Sequence, residues 1–146
     1  MPTVQHAIDV AAPPEDCWRV FADLSTWPRW FPFLRSAPVG DLRPGGRLQL
    51  AFGAGPASIP AMPVRVTLAE WEPLKRARWT GGALGIKGDH VFEFAVNIPG
   101  LTRVTSRECF SGLGSRLIAG PLLQRLDGEV HESMARFKAL VEATRA

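Results

Sequence analysis

Between Arg47 and Phe110 apolar residues return at every second position, segment after segment. Beyond Gly112 the spacing changes to threes and fours and stays there. Leu48, Leu50 and Phe52 alternate with Arg47, Gln49 and Ala51. Val64, Val66 and Leu68 resume the pattern towards Trp71, and Ala77 and Trp79 alternate with Arg76, Arg78 and Thr80. His90, Phe92, Phe94 and Val96 follow, then Val104, Ser106, Glu108 and Phe110. Period two marks strands with one buried face. Leu122, Leu126, Val130, Met134, Phe137 and Val141 then recur at steps of four, four, four, three and four. That is the apolar stripe of one long helix, with Gly120-Pro121 interrupting it early. Successive strands joined by turns make an antiparallel sheet, and a single striped helix has to lie across its face. The fold class is α+β.

The segment before the sheet adds a strand and a helical insert. Thr3 to Val10 alternates, with Val4, His6, Ile8 and Val10 on one face. Pro13-Pro14-Glu15-Asp16 reads as a helix start, because Pro suits the first turn and acidic groups suit the positive end of the dipole. Asp23 or Ser25 can cap a second short helix through Trp27. Pro38 demotes its stretch to an edge strand or loop, and Pro44-Gly45-Gly46 is a turn. Gly53 to Pro63 and Gly81 to Gly85 read as loops. The 146 residues make one domain, 1–146, large enough for a core.

Charge and sulfur narrow the classes. Seventeen Lys and Arg against fourteen Asp and Glu give +3, spread without a run, so no nucleic-acid footprint is expected. Cys17 and Cys109 share no metal-ligand spacing and read as reduced thiols of a cytoplasmic protein. The first residues lack a signal-peptide layout. The uncharged stretch Leu48–Val64 is broken by Pro56, Pro60 and Pro63, which excludes stable membrane insertion as a helix. No metal and no cofactor are expected.

Most motif fragments have plain readings. His131-Glu132-Ser133-Met134-Ala135 opens like a zinc-protease helix, but Ala135 stands where the second His is needed. A solvated face with Glu132 and Arg136 paired four apart explains it better. No Gly-x-Ser-x-Gly occurs, and the Gly-x-Gly fragments are turns. Trp27, Trp30, Phe31 and Phe33 read first as the plug that docks the short helices under the sheet. His90 and Glu108 are the sharpest pair. If the turn after Val96 sets 96 opposite 102, then 90 faces 108 with Cβ atoms about 4.5–5.5 Å apart. A carboxyl beside an imidazole on an apolar face can move protons, or can simply hold the register. His6 shares the apolar side of the first strand and is expected at the rim.

Four motifs in order resemble one superfamily. Ala11-Ala12-Pro13-Pro14-Glu15-Asp16-Cys17-Trp18 opens the first helix, followed by Trp27-Pro28-Arg29-Trp30-Phe31-Pro32. Gly88-Asp89-His90-Val91-Phe92 and Glu108-Cys109-Phe110-Ser111-Gly112 come later. The set is similar to the START-like (SRPBCC, Bet v 1-like) superfamily, in its polyketide cyclase/dehydrase-type branch. The resemblance implies a helix-grip fold, in which a curved antiparallel sheet of about seven strands wraps a long C-terminal helix and two short helices lie between strands 1 and 2. It also implies a deep apolar cavity, without fixing one activity.

The expected function is binding of a small, largely apolar molecule of lipid, polyketide or aromatic type. The inward-facing positions Leu48, Leu50, Phe52, Val64, Trp79, Phe92, Phe94, Leu126, Val130 and Met134 should line the cavity, and Trp30 and Phe33 should border it. One alternative is a cyclase or dehydratase with His90 and Glu108 as acid and base. Another is a chaperone-activator-like interaction module, from the Asp41 to Gly46 hairpin.

Overall fold

A computed structural model describes residues 1–53, 61–83 and 85–145. The order is β1 (Thr3–Val10), α1 (Pro14–Phe21), α2 (Trp27–Trp30), β2 (Val39–Gly40), β3 (Arg47–Phe52), β4 (Met62–Glu72), β5 (Arg76–Ala83), β6 (Ile86–Ile98), β7 (Leu101–Ser111) and α3 (Gly120–Ala143). The strands form one antiparallel sheet in the order β1-β7-β6-β5-β4-β3-β2. Only β1 leaves sequence order, because α1 and α2 carry the chain across to the far edge.

Local chemistry sets the insert. α1 begins on Pro14 with Glu15 and Asp16 in its first turn. The Asp23 carboxylate accepts the Ser25 N–H at 3.0 Å and starts a short 3-10 turn, Leu24–Thr26, that runs into α2. The Trp27 indole then donates to the Phe21 carbonyl at 2.8 Å, fixing α2 against α1. Phe21 is fully buried, and its ring meets those of Trp27, Trp30, Trp71, Phe92 and Phe94. The two short helices thus plug one end of the sheet with aromatic rings.

α3 closes the same face. Val130, Met134, Phe137 and Val141 are buried, and Phe137 stands edge-on to Trp30 at 5.2 Å. Its last turns are tied to the start of the chain. Lys138 Nζ donates to the Asp9 carbonyl at 2.8 Å, and the Glu142 carboxylate accepts the Ala11 N–H at 2.9 Å. Gly120-Pro121 opens this helix instead of interrupting it, since Pro at its first turn loses no helical bond. A second 3-10 turn, Leu113–Leu117, leads into α3.

Three details depart from the sequence reading. β5 continues through Gly81 and Gly82, which pair with Gly88 and Lys87, so these glycines are strand and not loop. Of the expected loop from Gly53 to Pro63, residues 54–60 lie outside the described residues, and β4 already starts at Met62. In β4 the register shifts between Leu68 and Glu70, leaving Ala69 as the extra residue of a bulge. The inward phase moves from Val64, Val66 and Leu68 to Trp71, whose ring packs on Trp18 at 4.8 Å. At the sheet edge, Gly45 donates to the Leu68 carbonyl and Leu68 to that of Gly46, so the Asp41–Gly46 hairpin is bonded to β4.

The outer sheet face is charged. Arg78 grips Asp89 through two bonds, Arg103 grips Asp9, and Arg76 bridges Glu70 and Glu93. Cys17 is buried and Cys109 half-buried, and both are free thiols. No described helix is long and apolar enough to cross a membrane.

Candidate functional site

Strands β3 to β7 and α3 each divide into a packed half and a hollow half. On the packed side lie Leu48, Leu68, Ala77, Phe92, Phe94, Val104 and the helix residues Val130, Met134, Phe137 and Val141, in one core with the buried side chains of α1 and α2. On the hollow side the same elements enclose a cavity of about 350 Å³. β3 supplies Leu50 and Phe52, β4 supplies Met62, Val64 and Val66, and β5 supplies Trp79. Ile86 and His90 come from β6, Glu108 and Phe110 from β7, and Leu126 from α3. Trp27, Phe31, Phe33 and Leu34 come from the insert and its exit, and Ile118 from the link into α3.

Of the residues expected to line it, Leu50, Phe52, Val64, Trp79, Leu126 and Phe33 do so, with His90 and Glu108. Trp30, Leu48, Phe92, Phe94, Val130 and Met134 do not. Trp30 belongs to the plug itself, and the others face inward as their phase requires but lie in the packed core, where the Phe21 ring meets Trp30, Phe92 and Phe94 and the Phe137 ring meets Trp30. Leu34, Met62, Val66, Ile86, Phe110 and Ile118 were not among the expected lining residues. Ile86 and Phe110 share the phase of His90 and Glu108, so their signal was present. Ile118 lies outside any periodic run and gave none.

Gly88 makes room. It faces Gly81 across β5 and β6 in the cavity wall, and a Cβ at Gly81 would press on the Arg65 carbonyl of β4. A Cβ at Gly88 would stand 3.6 Å from Glu108 Oε1, so its absence opens a notch beside that carboxyl.

The polar centre is small. His90 opposes Glu108 in the β6–β7 register, and Val96 opposes Thr102 as the turn required. Glu108 Oε2 lies 3.5 Å from His90 Nδ1, while His90 Nε2 is hydrogen-bonded to Ser106 Oγ at 2.7 Å. The imidazole is sandwiched near Trp79 and Phe92, with ring centres 4.8 and 4.7 Å away. Burial pulls His90 down to about 3, against the opposing pull of the Asp89 charge. Burial pushes the Glu108 carboxyl up to about 7. A quarter of the Glu108 side-chain surface is exposed, and the residue is part of the cavity wall. Near neutral pH the site therefore holds an uncharged imidazole and a carboxyl close to half-ionised.

His6 stays outside this group. Its Nε2 meets Asp127 Oδ1 at 2.9 Å, between β1 and α3. The described residues contain no cluster of His, Cys, Asp and Glu able to hold a metal ion.

The family model described as polyketide cyclase/dehydrase and lipid transport matches residues 1–142. The chain belongs to this polyketide cyclase/dehydrase family. No curated protein matches its sequence. Solved structures similar to this family member include TTHA0849 from Thermus thermophilus, at 18% identity over 99% of this chain and 100% of that one, with a TM-score of 0.74. The Zhui aromatase/cyclase from Streptomyces sp. R1128 is 14% identical over 99% and 95%, also with a TM-score of 0.74. The di-domain aromatase/cyclase BexL is 18% identical with a TM-score of 0.75. The match takes in 97% of this chain and 47% of BexL, so the chain spans about half of BexL's length. These likenesses establish the helix-grip fold for the polyketide cyclase/dehydrase family chain.

Proposed function

We propose that this chain binds a small, largely apolar molecule of lipid, polyketide or aromatic type in the cavity between the sheet and α3. The observation that carries this reading is the lining. Among the described residues, the walls apart from His90 and Glu108 are aliphatic, aromatic or glycine, in a space within the usual range for ligand sites. Family membership supports it.

The test is titration with the neutral fluorophore N-phenyl-1-naphthylamine, followed by Trp quenching, since Trp27 and Trp79 stand in the wall. A low micromolar Kd, near −8 kcal/mol, is expected. At 100 times Kd the ligand should stabilise the fold by about 2.7 kcal/mol. Unchanged quenching and melting at saturation would refute the reading.

A second reading is acid–base catalysis in the same cavity, as in a cyclase or dehydratase. The observation that favours it is the 3.5 Å approach of Glu108 to His90 on the wall. With the true substrate, Glu108→Gln should then lower turnover by about 10²–10⁴-fold while binding survives. Intact turnover in that variant would leave binding alone.

A further inference from the structure

We propose that Glu108 is the group that reads the ligand, as a protonated acid donating a hydrogen bond, so that the cavity selects neutral molecules bearing a carbonyl-type acceptor and rejects carboxylates of the same shape. This deepens the binding reading and rests on it.

Three observations carry the proposal. First, the carboxyl is under-partnered. Among the described residues its one polar neighbour is His90, at 3.5 Å on the Oε2 side, while Oε1 borders the notch left by Gly88. A half-buried carboxyl that faces an apolar cavity without a good protein bond gains from a ligand atom that completes it. Second, among the described residues no Lys or Arg lines the cavity. A carboxylate entering here would meet no counter-charge, and the desolvation of an unpaired anion is costly. Third, the surroundings favour the protonated form of Glu108 below about pH 7. Val4 opposes it on β1, and Ile118 and Leu126 face the cavity from the α3 side. His90 on β6 is uncharged, and His6 on β1 is engaged by Asp127. Arg107 and Cys109, its neighbours on β7, alternate to the other face, as do Lys87 and Asp89 on β6. Burial alone raises the carboxyl, to about 7.

Three probes of one size separate the outcomes: 2-acetylnaphthalene, 2-ethylnaphthalene and 2-naphthoate. At pH 6 the ketone should bind about 3- to 10-fold tighter than the hydrocarbon, the worth of one hydrogen bond. The carboxylate should bind at least about 100-fold more weakly than the ketone. At pH 8.5 the ketone's advantage should vanish, because an ionised Glu108 cannot donate. Glu108→Gln, whose amide donates at every pH, should keep the advantage and remove its pH dependence. Glu108→Leu should abolish the advantage while leaving ethylnaphthalene bound. Naphthoate binding as tightly as the ketone would overturn the proposal, as would a ketone advantage unchanged between pH 6 and 8.5. Equal binding of all three overturns this proposal alone, whereas binding of none overturns the cavity reading with it.

Discussion

At the scale of single residues, His90 and Glu108 bend stability in opposite directions with pH. Glu108 sits at about 7 in the fold against 4.5 ordinarily, so as pH rises the unfolded chain loses its proton first. Its contribution therefore falls between about 4.5 and 7. His90 sits at about 3 against 6.5, so as pH falls the unfolded chain takes up a proton first, and stability falls from 6.5 downward. Between 4.5 and 6.5 the two slopes offset one another. Urea denaturation across this range should show Glu108→Gln gaining on the parent chain from about pH 4.5 and levelling beyond pH 7. A difference that does not vary with pH would mean the carboxyl is solvated. Thr102 offers a second test. It is fully buried and donates to the Ala12 carbonyl at 2.7 Å, bracing the link between β1 and α1. Thr102→Val should cost about 1–3 kcal/mol by leaving that acceptor unmet, read as a shift in the urea midpoint.

At the scale of elements, α3 crosses from the packed half to the hollow half within one stripe. Phe137→Ala should cost about 3–5 kcal/mol, because Trp30 and its neighbours cannot close the void. Leu126→Ala should cost far less, since that side chain already faces empty space. Equal losses in chemical denaturation would deny the division. The turn between β4 and β5 holds Leu74 at a φ of 72°, the only positive value among the described residues other than glycine. Relief of about 1–2 kcal/mol of strain, less glycine's entropy, should make Leu74→Gly melt about 2–4 °C higher.

The element order, the seven-stranded sheet and the facing of His90 and Glu108 were legible in the sequence, because period two and one turn fix phase and register. Depth along a strand was not legible. Phase says that Phe92 and His90 point the same way, but it does not say that one lies under a plug and the other beside a void. The glycines were hidden for a related reason: Gly81 signals a loop on paper, while here it lets β5 lie close against β4, and the missing side chain of Gly88 leaves room in the cavity. The bulge at Ala69 left no mark either, because alanine is neutral to both faces.

At the scale of the whole molecule, the void should be separable from the fold. Gly88→Leu places a side chain in open space, with its Cβ at ordinary contact distance from Glu108 and a better strand former at that position. Melting should rise by a few degrees, while N-phenyl-1-naphthylamine binding falls more than about 10-fold. A drop in melting temperature would show that the notch is structural. The division of the inner face also bears on how such a chain can change over generations. Residues beneath the plug touch many neighbours and can be exchanged only together, whereas those around the void touch few. Variation in Phe52, Val64, Ile86 or Phe110 would alter what enters without endangering the scaffold. One end of the molecule can drift towards new cargo while the other stays fixed.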